Sequence, residues 1–251
     1  MMTETIQAIK LQLSDPQVFS EAIGAVSKLV DEVTIKITPT HLEIVAMDPA
    51  NVAMVVLKME SRAFMEYSGE GNFSIKLASL KQVLARNKGK EGFVSLTVEN
   101  NQLKVLLSGK TRKEYTLPLI ELEQKQTKMP ELKFAFEVSI DNMDFRDSVA
   151  DVSIVADSCE FKVADNQFVI TGVGDSSKAI SETKGISKKV GDVDTASGKY
   201  SIEYLDKMLS GKFKTAKLFI GTDYPIKIVY VSETGTTTIE YLLAPRIDGS
   251  N

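Results

Sequence analysis

The sequence contains one cysteine, one histidine and no tryptophan in 251 residues. Cys159 has no second cysteine with which to form an internal disulfide. Cys159 and His41 together cannot supply the ligands of a zinc site built from cysteines or histidines. The same scarcity leaves little room for a Ser-His-Asp triad. We therefore expect no metal site, no cofactor and no enzymatic activity.

Long apolar segments are also missing. The longest uninterrupted apolar run is Val52–Leu57, whereas a membrane helix needs ~20 residues. The first thirteen residues, MMTETIQAIKLQL, have neither the basic start nor the apolar core of a signal peptide. We expect a soluble, intracellular protein with no membrane partner. Its net charge of −4, from 30 basic and 34 acidic residues, argues against a general nucleic-acid binder, so any DNA role requires a local basic surface.

The strongest positive feature is an internal repeat. The segment that starts at Phe19 resembles, without a gap, the segment that starts at Phe145, 126 residues later. The offset of 126 returns where EYTL at Glu114 matches EYLL at Glu240. Identical residues at this offset include Val26 and Val152, Ser27 and Ser153, Asp31 and Asp157, Lys36 and Lys162, and Ile44 and Ile170. The repeat predicts two halves with one structural plan.

Each half predicts two helices and a set of short strands. In the first half, Asp15-Pro16 is typical of a helix start, and apolar residues then recur at helical spacing from Val18 to Val33. Alternating strands and short turns follow. The further predicted helices are Ser79–Arg86, Asp141–Asp157 and Tyr204–Ser210; the predicted strands include Thr34–Thr38, His41–Met47, Phe93–Val98, Gln102–Leu107, Thr111–Ile120, Glu160–Ala164, Gln167–Val173, two within Lys217–Val231, and Thr237–Leu243.

This pattern predicts an α+β fold of two similar domains, each with two helices packed on antiparallel sheets. The polar segment Glu121–Lys133 lacks either periodicity and predicts an exposed connector, which is either a plain linker or a partner-binding loop. The predicted domains are therefore residues 1–120 and 134–251, with the connecting loop at 121–133.

Two short motifs resemble nucleotide-binding sequences. GKT at Gly109–Thr111 lacks the glycine that a P-loop requires five residues earlier, because position 104 is lysine. GVGDSS at Gly172–Ser177 follows a predicted strand but opens no helix. We interpret the first motif as a hairpin turn and assign no dinucleotide site to the second.

Basic residues cluster around the predicted short helices, and two more lie on the predicted long helices. Near helix C-termini they are explained either by the helix dipole or by contact with a phosphate backbone. Their recurrence in both halves favours the second explanation, and the absence of interleaved aromatics argues against base stacking. The candidates are Lys28, Lys81, Arg86, Lys88, Lys90, Arg146, Lys207, Lys212 and Lys214.

Two apolar stretches are candidates for a binding surface. They are Met47–Val55, which begins with MDPAN, and Leu242–Ile247 near the C-terminus. Either these residues pack within ordinary turns, or they form, with the connector, a groove for a peptide. The sequence alone leaves both interpretations open.

Five segments together resemble the proliferating cell nuclear antigen family of DNA sliding clamps, and most of all its archaeal members. They are LVDEV, MDPANVAMV, EYTLPLIELE, YPIKIVY and YLLAPRI. The resemblance covers essentially the whole chain. It implies the DNA-clamp fold, with three subunits closed head to tail into a ring of six domains around duplex DNA. It places the protein in the cytoplasm with the nucleoid, or in the nucleus if the source is eukaryotic. It also implies as partners DNA polymerase, flap endonuclease, DNA ligase and a clamp loader.

The resemblance further implies roles for particular residues. The basic residues given above would face DNA, although Asp144, Asp147 and Asp151 beside Arg146 imply a small share for the third helix. Subunit contact would pair an edge around Thr111, Lys113, Tyr115 and Leu117 with one around Ser177, Lys178, Ile180 and Glu182. The partner-peptide groove would use Met47, Asn51, Val52, Met54, Met129, Pro130, Pro225, Leu242, Ala244, Pro245 and Arg246.

The alternatives are a clamp-like scaffold that binds proteins but not DNA, and one subunit of a ring of related but different chains. An enzyme with a site that the motifs do not show is a third and weaker hypothesis.

Overall fold

The computed structural model describes residues 8–13, 16–87, 92–123, 129–164, 166–183, 186–209 and 213–247. Within these ranges the helices are α1 (Pro16–Val26), α2 (Leu77–Leu84), α3 (Asn142–Ser153) and α4 (Ile202–Met208), with a 3-10 helix at Ser61–Ala63. The strands of the first half are β1 (Ile9–Leu13), β2 (Glu32–Ile37), β3 (His41–Met47), β4 (Ala53–Glu60), β5 (Glu66–Ser68), β6 (Gly71–Lys76), β7 (Phe93–Glu99), β8 (Gln102–Ser108) and β9 (Lys113–Pro118). Those of the second half are β10 (Phe136–Asp141), β11 (Ser158–Ala164), β12 (Gln167–Val173), β13 (Lys178–Thr183), β14 (Ile186–Lys189), β15 (Thr195–Ser201), β16 (Thr215–Ile220), β17 (Ile226–Val231) and β18 (Thr237–Leu243).

The chain divides into two compact units. Unit 1 comprises Met1–Met47, Val56–Lys128 and Thr234–Thr238; unit 2 comprises Asp48–Val55, Met129–Glu233 and Ile239–Asn251. The domain boundaries inferred from the sequence pattern stay a prediction. That pattern did not indicate that Asp48–Val55 belongs to unit 2 or that Thr234–Thr238 belongs to unit 1.

The repeat seen in the sequence is a repeat of structural elements. Strand β3 starts at His41 and β12 starts at Gln167, 126 residues later, and both have seven residues. Helix α3 likewise follows α1, and β18 follows β9, at about this offset. The prediction of two similar halves with two helices each is confirmed.

Helix α3 begins with a side-chain cap. The Asp141 carboxylate accepts hydrogen bonds from the amides of Met143, at 2.8 Å, and Asp144, at 3.4 Å. The predicted cap Asp15 stands 126 residues earlier and lies outside the described residues.

Unit 1 buries an aliphatic core. Its antiparallel strands lie in the orders β5-β1-β7-β8-β9 and β4-β3-β2-β6. Alternate residues of β2 point inward, so Val33, Ile35 and Ile37 are buried. Helix α1 buries Phe19 and Ile23, so its apolar stripe supplies the helical side of this core.

Unit 2 buries an aromatic core. Its antiparallel strands lie in the orders β14-β10-β16-β17-β18 and β13-β12-β11-β15. The ring of Phe161 lies 5.9 Å from Phe145, 5.5 Å from Phe168 and 5.4 Å from Tyr200, measured between centroids. All four side chains are fully buried. This cluster fixes α3 against β11, β12 and β15.

The glycines of GVGDSS have a packing role. A Cβ at Gly172 would lie 2.3 Å from Cγ1 of Val152, and one at Gly174 would lie 2.1 Å from the carbonyl oxygen of Val155. Helix α3 and the turn after it therefore approach β12 too closely for a side chain there. GKT lies between the paired strands β8 and β9, so the prediction of a hairpin turn is confirmed.

Several predicted boundaries were wrong. Helix α1 ends at Val26, and Val33, included in the helical spacing, lies in β2. The last turn after α1 has 3-10 geometry, because the amides of Lys28 and Leu29 donate to the carbonyls three residues earlier. Helix α3 ends at Ser153 instead of Asp157, α2 starts two residues before Ser79, and α4 starts at Ile202. Residues from Ala53 onward, taken as part of an exposed turn, form β4.

Tyr241 of β18 offers a stability test. Its side chain is fully buried, and its hydroxyl has no hydrogen-bond partner among the residues described. Burial raises the pKa of this phenol well above its usual value. Tyr241→Phe removes the unsatisfied hydroxyl and keeps the ring contact with Tyr230, 6.2 Å away. We expect the free energy of unfolding in urea to rise by about 1 kcal/mol.

The matched control for this test is Tyr67→Phe. The Tyr67 hydroxyl donates to the carbonyl oxygen of Thr38 at 2.8 Å, so its loss should lower the free energy of unfolding by about 1 kcal/mol. If Tyr241→Phe is destabilised as much as Tyr67→Phe, the buried hydroxyl of Tyr241 has a partner after all.

Candidate functional site

One carboxylate organises the turn between β3 and β4. Asp48 is only 4% exposed, and it accepts hydrogen bonds from the amides of Ala50 (3.0 Å), Val52 (2.8 Å) and Ala53 (2.7 Å). The Asp48 amide donates to the carbonyl of Ala53, and Asn51 adopts a left-handed φ of 58°. Because a single side chain satisfies three backbone donors, the path of the turn Asp48–Ala53 depends on it.

Helix α4 supplies the fourth hydrogen bond to this carboxylate. The Tyr204 hydroxyl donates to Oδ2 of Asp48 at 2.8 Å. On the same helix, Nζ of Lys207 lies 4.8 Å from the centroid of the Tyr204 ring and 2.8 Å from a carboxylate oxygen of Glu203. Tyr204 therefore contacts both the turn and a basic residue that the sequence analysis had assigned to DNA.

The ionisation of this pair follows from its contacts. Burial raises the pKa of the Asp48 carboxyl, but the hydrogen bonds from Ala53, Tyr204, Ala50 and Val52 outweigh burial and hold the pKa below its usual value. The hydrogen bond to Asp48 raises the pKa of Tyr204, and burial adds to this. At neutral pH the site therefore holds a carboxylate and a protonated phenol.

The tail, residues 244–247 after β18, is held by two backbone hydrogen bonds. The Ala244 amide donates to the carbonyl of Val52 at 2.9 Å, and the Arg246 amide donates to the carbonyl of Lys199 at 2.7 Å. The Arg246 guanidinium lies 2.9 Å from the Asp157 carboxylate and lowers its pKa. Arg246 also borders a surface pocket of about 520 Å³ over β11, β12 and β15.

The predicted groove residues fall into two classes of exposure. Met47 and Val52 are 36% and 37% exposed, whereas Met54 and Leu242 are buried. A backbone hydrogen bond joins Val52 to the tail at Ala244. The rest of the set are half-buried or exposed: Asn51, Met129, Pro130, Pro225, Ala244, Pro245 and Arg246.

An aromatic cluster next to the connector was missed by the sequence analysis. The Phe134 ring lies 5.7 Å from Phe219 and 5.9 Å from Tyr224. All three rings are half-buried, and Nζ of Lys227 lies 4.5 Å from the centroid of Phe219. Because β16 and β17 place Phe219 directly opposite Lys227, the cluster is a feature of strand register that no local motif reveals.

Most of the described basic candidates lie on helices or in the turns after them, whereas Lys214 directly precedes β16. Lys81 of α2 is exposed, and Arg86 and Lys28 are exposed in the turns after α2 and α1. Lys28 was predicted on the helix itself, which ends at Val26. Arg146 and Lys207 are half-buried, Lys214 is exposed, and Lys88, Lys90 and Lys212 lie outside the described residues.

Acidic residues dominate the outer surface of α3. Asp144, Asp147 and Asp151 are exposed, and none has an ion-pair partner within the described ranges. Only Arg146 opposes them on this helix. The third helix therefore presents a negative surface, consistent with the small share in DNA contact expected from the sequence.

Two sheets end in strands with an open edge. β9 is the last strand of the order β5-β1-β7-β8-β9, and β13 is the last strand of the order β13-β12-β11-β15. No strand among the described residues pairs with the outer side of either. Lys113, Tyr115 and Leu117 of β9 are half-buried, with Thr111 exposed just before them; Ser177, Lys178, Ile180 and Glu182 at β13 are exposed.

The described residues contain no group of three or more His, Cys, Asp or Glu side chains placed to hold a metal ion. The thiol of Cys159 is buried, and burial raises its pKa to about 12, so it is not a reactive thiolate. His41 lies in the β2–β3 hairpin with Nδ1 2.8 Å from Oγ1 of Thr40. None of the helices in the described ranges combines the length and apolarity that a membrane crossing requires.

Comparison with known sequences shows that this chain is similar to DNA sliding clamps. Residues 8–128 match the model of the proliferating cell nuclear antigen (PCNA) N-terminal domain. The chain is 31% identical over 239 residues to the DNA polymerase sliding clamp of Pyrococcus abyssi, covering 92% of this chain and 95% of that protein.

Solved structures show the same fold. PCNA from Thermococcus kodakaraensis superposes with a TM-score of 0.89 at 20% identity, covering 95% of this chain and all of that one. A. fulgidus PCNA, solved with the C-terminal region of FEN-1 bound, gives a TM-score of 0.84 at 24% identity over 96% of this chain and all of that one. With four helices on antiparallel sheets, a duplicated element order and a clamp relative matched along nearly its whole length, the chain belongs to the PCNA family of DNA polymerase sliding clamps.

Proposed function

We propose that this chain is the subunit of a trimeric DNA sliding clamp. Three copies close head to tail into a ring of six domains around duplex DNA. The ring tethers DNA polymerase, flap endonuclease and DNA ligase through a groove at the turn Asp48–Ala53 and the tail, and a clamp loader opens it. It performs no chemistry and acts by raising the concentration of its partners at DNA. We place it in the cytoplasm, associated with the nucleoid.

The observation that carries this proposal is the pairing of β4 with β18, which has no second copy among the residues that the structure describes. Hydrogen bonds join β4 and β18 at both ends: Ala244 to Val52 inside unit 2, and Glu60 to Thr236 inside unit 1. At the repeat offset, β13 is the counterpart of β4 and β9 is the counterpart of β18. The two open edges are therefore the repeat-equivalents of two strands that pair. Pairing β9 of one subunit with β13 of the next repeats that contact in a head-to-tail direction that closes a ring.

Charge around the two edges supports this pairing. Lys110, Arg112 and Lys113 lie at the start of β9, and Nζ of Lys113 lies 3.4 Å from the carbonyl oxygen of Arg86. The acidic helix α3 packs on β13, with Oγ of Ser181 2.8 Å from Oγ of Ser148. The basic residues before β9 and the acidic helix beside β13 favour contact between unlike ends of neighbouring subunits.

The groove and the basic residues support the two binding functions. A backbone hydrogen bond joins the partially exposed Val52 to the tail, and the Phe134 cluster gives a second apolar surface in unit 2. A partner segment with one aliphatic and two aromatic anchors suits such surfaces. Exposed lysines such as Lys81 supply phosphate contacts on a chain whose net charge is −4, so retention on DNA must come from enclosure more than from affinity.

The test is retention on DNA of two topologies. The protein is loaded with its clamp loader onto a nicked plasmid, and half of the sample is then linearised with a restriction enzyme. We expect the protein to co-elute with circular DNA through gel filtration and to be lost from linear DNA. Equal retention on both would indicate binding by contact, and no retention on either would favour a scaffold that does not encircle DNA.

A further inference from the structure

We propose that Tyr204 is a positioning residue of the partner groove: its hydroxyl, through the Asp48 carboxylate, holds the turn Asp48–Ala53 in the conformation that receives a partner's segment. The inference rests on the proposed groove, and its test separates the two.

The first step concerns the carboxylate. Oδ1 of Asp48 accepts from the amides of Val52 and Ala53, and Oδ2 accepts from the Ala50 amide and the Tyr204 hydroxyl. The bond from Ala50, at 3.0 Å, is the longest of the four. Without the Tyr204 hydroxyl, Oδ2 keeps only this weakest donor. Because Asp48 is 4% exposed, water has little access to replace the missing donor.

The second step concerns the groove itself. Val52 donates its amide to Asp48 and accepts, at its carbonyl oxygen, the amide of Ala244 in the tail. Its side chain is 37% exposed. A rotation of the carboxylate therefore disturbs both the exposed side chain of Val52 and the register of the tail. Both belong to the surface that a partner would contact.

The third step concerns the rigidity of Tyr204. Its neighbours on α4, Ile202 and Leu205, are buried in unit 2, so the helix holds the tyrosine in a fixed place. Nζ of Lys207 lies against the ring face. The substitution Tyr204→Phe keeps this ring, its packing and the lysine contact, and removes only the hydrogen bond to Asp48.

The experiment measures peptide affinity and backbone protection in parallel. The probe is a synthetic peptide with the C-terminal sequence of an archaeal flap endonuclease, titrated by calorimetry into the full-length protein. We expect Tyr204→Phe to weaken binding about fivefold, equivalent to about 1 kcal/mol. The amides of Ala50, Val52 and Ala53 should exchange with solvent faster in the variant. Tyr67→Phe, which loses a tyrosine hydrogen bond in unit 1, should change neither quantity.

A double-mutant cycle shows whether the effect passes through Asp48. In an Asp48→Asn background, Tyr204→Phe should cause little further loss of affinity, because the charged acceptor is already gone. An equal loss in both backgrounds, or unchanged affinity and exchange in Tyr204→Phe, would overturn the proposal. If the unaltered protein fails to bind the peptide at all, the proposed groove itself is wrong, whereas wild-type binding with a silent Tyr204→Phe refutes only the positioning role.

Discussion

We expect the Ile180→Asp variant to elute with the mass of one chain, 27.6 kDa, while the unaltered protein elutes with three times that mass. Ile180 is 54% exposed on the open edge of β13. In the ring that we propose, this residue becomes buried against β9 of the next subunit. Placing an unpaired carboxylate there costs several kcal/mol at each of the three interfaces, which corresponds to a loss of more than about a hundredfold in association.

The control for this experiment is Val193→Asp. Val193 is 47% exposed in unit 2 but lies between β14 and β15, away from the edge strand β13. It therefore adds the same charge at a similar exposure without entering the interface, and we expect a trimer. The measurement is light scattering during gel filtration, at micromolar protein. If the Ile180→Asp variant remains a trimer, the assignment of β13 to the subunit interface is wrong. A monomeric unaltered protein would instead direct the search to related chains that complete the ring.

The architecture could be predicted from the sequence where local patterns coincide with tertiary packing. The apolar spacing of α1 and the alternation of β2 and β3 are also the burial patterns of the folded chain. Because the offset of 126 relates the two halves, the same elements were predicted in both, and the long helices α1 and α3 were both predicted to end too late.

The boundaries could not be predicted as well, because they depend on competition between neighbouring elements. Leu29 and Val30 continue the helical spacing of α1 and are buried, but they lie in the segment that leads from α1 into β2. Strand β4 was not predicted for a similar reason. Its apolar residues follow the MDPAN turn directly, and nothing local separates a buried strand from an apolar turn.

The groove residues stay a prediction, and the contacts that shape the turn were found only in part from the sequence. The segment with Met47 and Val52 was identified from its composition, but the pair that shapes it was missed, because Asp48 and Tyr204 are 156 residues apart. One signal was available in the repeat. The residue 126 positions after Asp48 is Gly174. Helices α2 and α4 start at Leu77 and Ile202, 125 residues apart, so the counterpart of Tyr204 is Ser79. Neither Asp48 nor Tyr204 has a residue of the same type at the equivalent position of the other half. A carboxylate and a phenol that the repeat does not duplicate indicate a function that only one copy of this site performs.

The second large effect concerns Phe161 in the core of unit 2. We expect Phe161→Ala to lower the free energy of unfolding by about 4 kcal/mol. The substitution leaves a cavity at the centre of a cluster that also contains Phe145, Phe168 and Tyr200, and it removes three aromatic contacts at once. In calorimetry, the transition of unit 2 should move down by about 12 °C.

The same substitution should impair both trimer formation and peptide binding. Unit 2 contains the edge strand β13 and the turn Asp48–Ala53, so both depend on its core. Above the lowered transition we expect the loss of trimer and of peptide binding, with both restored on cooling if unfolding is reversible. Met143→Ala, on the exposed side of α3, should change stability by less than about 0.5 kcal/mol. A loss in Phe161→Ala no larger than that of Met143→Ala would mean that the aromatic cluster does not hold unit 2 together. Loss of peptide binding without loss of the trimer would mean that the groove and the subunit edge do not share one core.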